Sequence, residues 1–409
     1  MTSPDTRRTA TTSADETDLP PLRIALVSLD DGPPGHDGPD APPALHAAGS
    51  HVAALATSMA KAGHTVTVYV RADNPKQEPV TGAAARLTVV RVPAGPPREL
   101  APEDLVEHLG EFGSHLAAHW TRRPPDVVHA HYWSAGIAAA LAAREAKVPV
   151  VQTFQALSAP ADTGVPAQRS KLERLVGREA VRVAATSSVE ADELIRRGIP
   201  RSMISIVPCG VDPEHFTPDG PVAERGAAHR LVCVGDLVPH KGFDTAIRAL
   251  RALPDTELVL VGGTKSGPEA RRLFALARAE GVADRVHLMG PLSDAELPAL
   301  LRSADALVCC PTEEPFGLTV SAAMACETAV VASEVGVLGD LVIDGVTGRL
   351  VPPEDPEALA KVLAHVLADP VTAQSYGAAG RDRVRARYSW DRVAEDTVRL
   401  YRQAITEFA

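Results

Sequence analysis

Long apolar runs, paired cysteines and an excess of positive charge are all missing from this 409-residue chain. Without about 18 consecutive apolar residues, no segment has the makings of a membrane-spanning helix. The polar first stretch, residues 1–20, lacks the apolar core of a secretory signal and reads as a disordered tail. Five cysteines, Cys209, Cys233, Cys309, Cys310 and Cys326, are odd in number and form no C-x-x-C pair. That excludes a disulfide framework and points to reduced thiols in a cytoplasmic protein. Lys and Arg number 41 against 52 Asp and Glu, a formal charge of -11, which argues against a nucleic-acid backbone as partner. The G-x-G-x-x-G fingerprint of a dinucleotide fold is absent too, which counts against an oxidoreductase.

What is present suits a globular α/β protein. Hydrophobic residues make up 45% and charged residues 23%, and the length fits two domains of about 180 to 200 residues. LRIALVSL (22–29) is a branched apolar run between turn-rich segments, as expected of a buried parallel strand. A long loop, a helix HVAALATSMAKAG and a strand HTVTVYVR follow. The alternation continues through LTVVRV, DVVHAHYW, VPVVQTF, VRVAATS and ISIVP. A Pro/Gly/Asp-punctuated stretch, CGVDPEHFTPDG, then reads as a linker. A second βα series runs from HRLVCVGDL to ALVCCP, and SWDRVAEDTVRLYRQAITEF closes the chain as an amphipathic helix long enough to cross a domain boundary. The expected fold is therefore two doubly wound Rossmann-like domains facing a central cleft.

In such sheets ligands gather beyond the carboxyl ends of the strands. VCVGDLVPHKG (232–242) ends in a turn carrying Lys241 and Gly242 ahead of a helix, a place where a cation and backbone N–H groups can hold an anion. LVLVGG (258–263) and RVHLMGP (285–291) bring Gly263 and Gly290 to two further strand ends. After ALVCCP, Glu314 precedes a turn at Pro315-Phe316-Gly317, and a helix starts near Leu318 with its N–H groups toward the cleft. An acid at a helix start is ordinary; its order relative to Lys241 in one doubly wound domain is what sharpens it. His129 and His131 lie two apart on one strand, but two ligands without a third make no zinc site, and no metal is expected.

The motifs GDLVPHKG, EPFGLTVSAAMAC, DGVTGRLVPPEDPEALA and YSWDRVAEDTVRLY resemble family 4 retaining glycosyltransferases of the GT-B fold. GHTVTVYVR, PDVVHAHYWSAG and PRSMISIVPCGVDPEHFTP resemble the acceptor half, especially in the branch near mycothiol-pathway and sucrose-phosphate-forming enzymes. The resemblance implies an acceptor-side domain over 21–206, a linker over 207–228 and a nucleotide-sugar domain over 229–388. It also implies a helix over 389–409 that returns to the first domain. It implies metal-independent transfer from a nucleotide-diphosphate sugar, a substrate rather than a cofactor, to an acceptor the sequence does not identify. Lys241 matches the diphosphate lysine and Glu314 the acid that holds the donor sugar. Gly235, Gly263, Gly290, Phe316, Gly317 and Leu318 line the donor side, and Gly49, His131 and Gln155 the acceptor side.

Four positions depart from that pattern. Ala322 stands where a second glutamate usually accepts ribose hydroxyls, bonds that contribute about 1.5 to 3 kcal/mol each. Asp236 replaces the diphosphate arginine; at about 4 Å and an effective dielectric near 20, this reversal opposes an anion by about 4 kcal/mol. Gln155 replaces a histidine, and the glycine pair that opens the first long helix is missing, leaving Gly49 nearby. Nucleotide sugars are accordingly expected to bind more weakly than micromolar, and Asp236→Arg and Ala322→Glu to restore affinity additively. Two functions fit: an active retaining glycosyltransferase with a remodelled donor pocket, or a catalytically impaired relative that acts as a partner or sugar-binding protein.

Overall fold

A computed structural model describes residues 19–29, 47–158, 165–293 and 295–409. Most of the tail expected over residues 1–20, the long loop expected after the first strand (residues 30–46), and residues 159–164 lie outside them.

The first half contains β1 (Arg23–Val27), α1 (Ala47–Lys61), β2 (Thr65–Arg71), β3 (Val80–Ala84), β4 (Leu87–Val92), α2 (Pro102–Leu105) and α3 (Leu109–Arg122). It continues with β5 (Val127–His131), α4 (Tyr132–Ala146), β6 (Val150–Thr153), α5 (Val165–Glu179), β7 (Arg182–Ala185), α6 (Ser188–Arg196) and β8 (Ile204–Ile206). The second half contains β9 (His229–Val234), α7 (Phe243–Ala249), β10 (Thr256–Val261), α8 (Pro268–Ala279), β11 (Val286–Gly290), α9 (Glu296–Arg302), β12 (Ala306–Cys309) and α10 (Leu318–Ala325). There follow β13 (Val330–Ser333), α11 (Leu338–Leu341), β14 (Arg349–Val351), α12 (Pro356–Ala368), α13 (Pro370–Arg387) and α14 (Trp390–Phe408).

One sheet runs β3-β4-β2-β1-β5-β6-β7-β8 and the other β11-β10-β9-β12-β13-β14. Every pairing is parallel except β3 with β4. Each chain path starts at the centre, winds outward and returns, so the strand order reverses between β1 and β5 and again between β9 and β12. Loops diverge at such a reversal and leave a crevice beyond the strand ends. Apolar clusters cover both faces of each sheet, and the strands are correspondingly rich in Val, Leu and Ala.

Several elements differ from the sequence expectation. The edge hairpin strand β3 is exposed at every position, so no hydrophobic alternation marks it. The strand over DVVHAHYW stops at His131, because Tyr132 turns to φ 68° and opens α4. Residues 212–228, expected as linker, pack on the second domain: Phe216 is buried in its core and Ala223 N–H bonds to Ala299 O at 3.1 Å.

The two chain crossings lie side by side. Val211 N–H donates to Tyr388 O at 2.8 Å, and Gly210 gives Trp390 room, since a Cβ there would stand 2.5 Å from its ring. From this junction α14 returns to the first domain and buries Val393, Ala394, Leu400, Tyr401 and Ala404 in the core beneath α1. Each larger side chain among these contributes about 1.5–3 kcal/mol of burial. Arg182, on β7, pairs with Glu407 near the far end of α14.

Candidate active site

Lys241 ends a tight turn at Pro239–Lys241 after β9. Gly242 follows at φ 71° with a Cβ position only 1.7 Å from the Cys310 carbonyl oxygen, so no other residue fits. Thr312 N–H donates to His240 O at 2.9 Å. The loops after β9 and β12 are thereby joined at the reversal point of the sheet, and Lys241 Nζ donates to Glu314 Oε2 at 2.8 Å across 73 residues of sequence.

Gly317, at φ 65°, caps α10; a Cβ there would meet Leu341 Cδ1 at 2.1 Å. The N–H groups of Phe316 and Gly317 donate to Glu314 Oε1 at 3.3 and 3.1 Å. Part of the donor set expected to face an anion is therefore taken by Glu314 itself. The first internal bond of α10 is Ser321 N–H to Gly317 O, which leaves the N–H groups of Leu318, Thr319 and Val320 as the first turn's unspent donors.

Gly235, Gly263 and Gly290 sit at the ends of β9, β10 and β11. The Lys241 stem passes beside Gly235, and Gly262 N–H donates to Gly290 O at 3.0 Å. The sequence reading missed Lys265, an exposed cation whose stem runs beside Gly290, where an added Cβ would stand 3.4 Å from its Cγ and Cε. Nothing in the periodicity of GGTKSG singles it out. Asp236 is exposed and forms no ion pair with a described residue.

Ala322 corrects an expectation. Its side chain has no exposed surface and packs in the apolar cluster with Val320, Met324 and Leu338. A glutamate there would enter a core rather than a free pocket wall, so a gain in affinity from Ala322→Glu is no longer the expected outcome. Ala322→Glu is expected to destabilise the nucleotide-free protein by at least about 3 kcal/mol, read as a fall in Tm.

On the first domain, Gly49 lies in the first turn of α1, His131 ends β5, and Gln155 follows β6 at φ 61°. Left-handed backbone at Tyr132 and Gln155 is uncommon for such residues and clusters at functional sites. Gln155 Nε2 lies 3.5 Å from His131 Nδ1. His129 and His131 rings are 4.2 Å apart, and His51 of α1 stands 5.6 Å from His131 and 5.2 Å from Trp390. His129 is bonded at both nitrogens, to Tyr401 Oη at 2.7 Å and Thr153 Oγ1 at 2.8 Å. Among the described residues, His51 Nδ1, His131 Nε2 and Gln155 Oε1 are buried without a partner. Burial pushes His51 down to about 4 and His129 down to about 3, and holds His131 well below the usual histidine range. All three imidazoles are neutral at physiological pH. His51 was not a sequence candidate; only folding brings α1 beside β5.

The five cysteines are all free, and burial pushes Cys209 up to about 12, with the charges of Glu190 and Glu314 acting the same way. They are not primed as nucleophiles.

Residues 222–383 match the family model described as glycosyl transferases group 1, and residues 47–210 match the glycosyl transferase 4-like domain. The D-inositol 3-phosphate glycosyltransferase of Xylanimonas cellulosilytica is 34% identical, over 93% of this chain and 97% of that protein. The D-inositol 3-phosphate glycosyltransferase of Mycolicibacterium gilvum is 35% identical over 95% of this chain and 90% of its own. Among solved structures, sucrose-phosphate synthase from Thermosynechococcus elongatus superposes with a TM-score of 0.77 at 29% identity, covering 94% of this chain and 99% of that one.

Proposed function

Because the chain belongs to the group 1, family 4-type glycosyltransferases of GT-B fold, we propose that it moves a sugar from a nucleotide-diphosphate sugar to an acceptor hydroxyl with retention of anomeric configuration. The observation that carries this is the Lys241–Glu314 pair at the β9/β12 reversal, set against the N-terminus of α10. As the glycosidic bond stretches, negative charge grows on the departing diphosphate, and the Lys241 ammonium with the first-turn N–H groups of α10 stabilises that charge. Glu314, released in part from Lys241, accepts hydroxyls of the donor sugar. His131 and Gln155 face the acceptor side, where Gln155 orients a hydroxyl and moves no proton; the hydroxyl's proton passes to the departing diphosphate oxygen as the new glycosidic bond forms on the same face. The acceptor we infer is a phosphorylated polyol or sugar, supported by the names of the relatives at 34 and 35% identity.

The test is incubation with UDP-, GDP- and ADP-sugars, with and without inositol 3-phosphate, following the product by NMR. An axial or equatorial linkage matching the donor's supports retention; inversion overturns it. Absence of turnover with every donor, combined with measurable sugar or partner binding, would favour the impaired-enzyme reading, which the uncompensated Asp236 carboxylate supports.

Asp236→Arg separates the two further. The position is exposed, so the substitution is sterically free, and solvent screening reduces the charge effect. Calorimetric affinity for a nucleoside diphosphate is expected to rise about three- to tenfold. Equal or weaker binding would remove Asp236 from the diphosphate site.

A further inference from the structure

The two domains meet at a contact between residues 152 apart in sequence. Asp340 Oδ2 accepts Ser188 N–H and its Oδ1 accepts Ser188 Oγ–H, both at 2.7 Å. Ser188 is the first residue of α6, whose N-cap Ser187 accepts from Glu190 N–H at 3.1 Å. A carboxylate at this point meets both a charge-assisted hydrogen-bond pair and the positive end of a helix.

On its own domain Asp340 sits on α11, directly behind the candidate donor loop. Val337 N–H donates to Glu314 O at 3.0 Å, and the Leu341 side chain fills the space that a Cβ on Gly317 would need. The Asp340 carbonyl oxygen accepts from Arg383 Nη2 at 2.7 Å and Tyr388 Oη at 3.0 Å. Tyr388 in turn holds the Val211 crossing through its own carbonyl. One residue thus touches the first domain by its side chain and the interdomain junction by its backbone, and adjoins the Glu314 loop through its neighbours.

We propose that Asp340 is a positioning residue: its carboxylate latches α6 to the second domain, so that cleft closure and the placement of Glu314 are set together. The hydrogen bonds made by its carboxylate run to the other domain, while its backbone stays tied to its own. The catalytic arm of the proposal rests on the glycosyltransferase reading above, whereas the closure arm stands without it.

The experiment compares wild type, Asp340→Ala, Ser188→Ala and the double variant by small-angle scattering without ligand and by donor and acceptor kinetics. Loss of a charge-assisted pair is expected to shift the closed-to-open ratio by about ten- to a hundredfold, seen as a larger radius of gyration in Asp340→Ala and a smaller increase in Ser188→Ala. The double variant is expected to go no further than Asp340→Ala. Turnover is expected to fall about tenfold with donor KM changing less than threefold, since Glu314 and Lys241 remain in place. Asp340→Glu, which keeps the charge, is expected to recover part of both. Unchanged scattering in folded Asp340→Ala and Ser188→Ala overturns the latch. If wild type turns over no donor, scattering still decides it, so failure of the latch and failure of the proposed activity are told apart.

Discussion

Lys241→Ala is expected to lower kcat/KM for sugar transfer by about 10²- to 10³-fold, the range seen when one preorganised group facing transition-state charge is removed. The fold is expected to tolerate the change. Glu314 keeps its two bonds from the Phe316 and Gly317 N–H groups, and the Lys241 side chain is a quarter exposed. The stability cost is accordingly about 1 kcal/mol. Glu314→Gln is the complementary probe: its amide oxygen still accepts from the α10 N-terminus, but the charge facing Lys241 is gone. A larger fall in kcat than in donor affinity is expected there, because a hydroxyl acceptor matters most as the donor sugar distorts. Initial rates and thermal melts of both variants check this. A Lys241→Ala enzyme with a third or more of its activity would detach the pair from the chemistry.

Acidification from pH 6.5 to about 4 is expected to destabilise the protein steeply, chiefly through His51, His129 and His131, with burial shifting His64 and His119 in the same direction. Their folded pKa values lie below the unfolded value of 6.5, at about 4 for His51 and about 3 for His129. Between the folded and unfolded values the unfolded chain binds protons that the folded protein refuses, so stability is present above 6.5 and lost as pH falls through that window. Each proton contributes about 1.4 kcal/mol per pH unit, and these three together contribute roughly 4 kcal/mol per pH unit where the unfolded chain is fully protonated. Carboxylates join below about pH 5, so the interval from 5 to 6.5 reads the histidines. His51→Phe preserves the ring against Trp390 and removes a nitrogen that has no partner among the described residues. Urea denaturation of this variant across the interval is expected to show a slope smaller by one proton. An unchanged slope would mean that His51 is already reached by water and titrates alike in both states.

The chain's own order carries much of the fold and half of the candidate site. Branched apolar runs separated by amphipathic segments specify parallel strands and covering helices, because side-chain periodicity acts locally. Lys241 and Glu314 were legible for a related reason: each follows a strand within a short turn, and the winding of a βα series brings successive strand ends to one edge. Gly242 and Gly317 mark those turns in the sequence, since their positive φ and missing Cβ are local demands. The exposed strand β3 left no such signal, and Phe216 reads as linker until the second domain provides a core to bury it.

Other features depend on the side of a helix that another domain covers. Ala322 looks like a vacancy beside Glu314 until α10 is seen buried among Val320, Met324 and Leu338. His51 joins His129 and His131 only when α1 packs beside the end of β5, and Ser188 meets Asp340 only when α6 of one domain comes against α11 of the other. Local chemistry determines which turn or strand a segment forms, but burial, shifted protonation and contacts 152 residues apart in sequence arise from what packs over it, which the relative placement of whole domains decides.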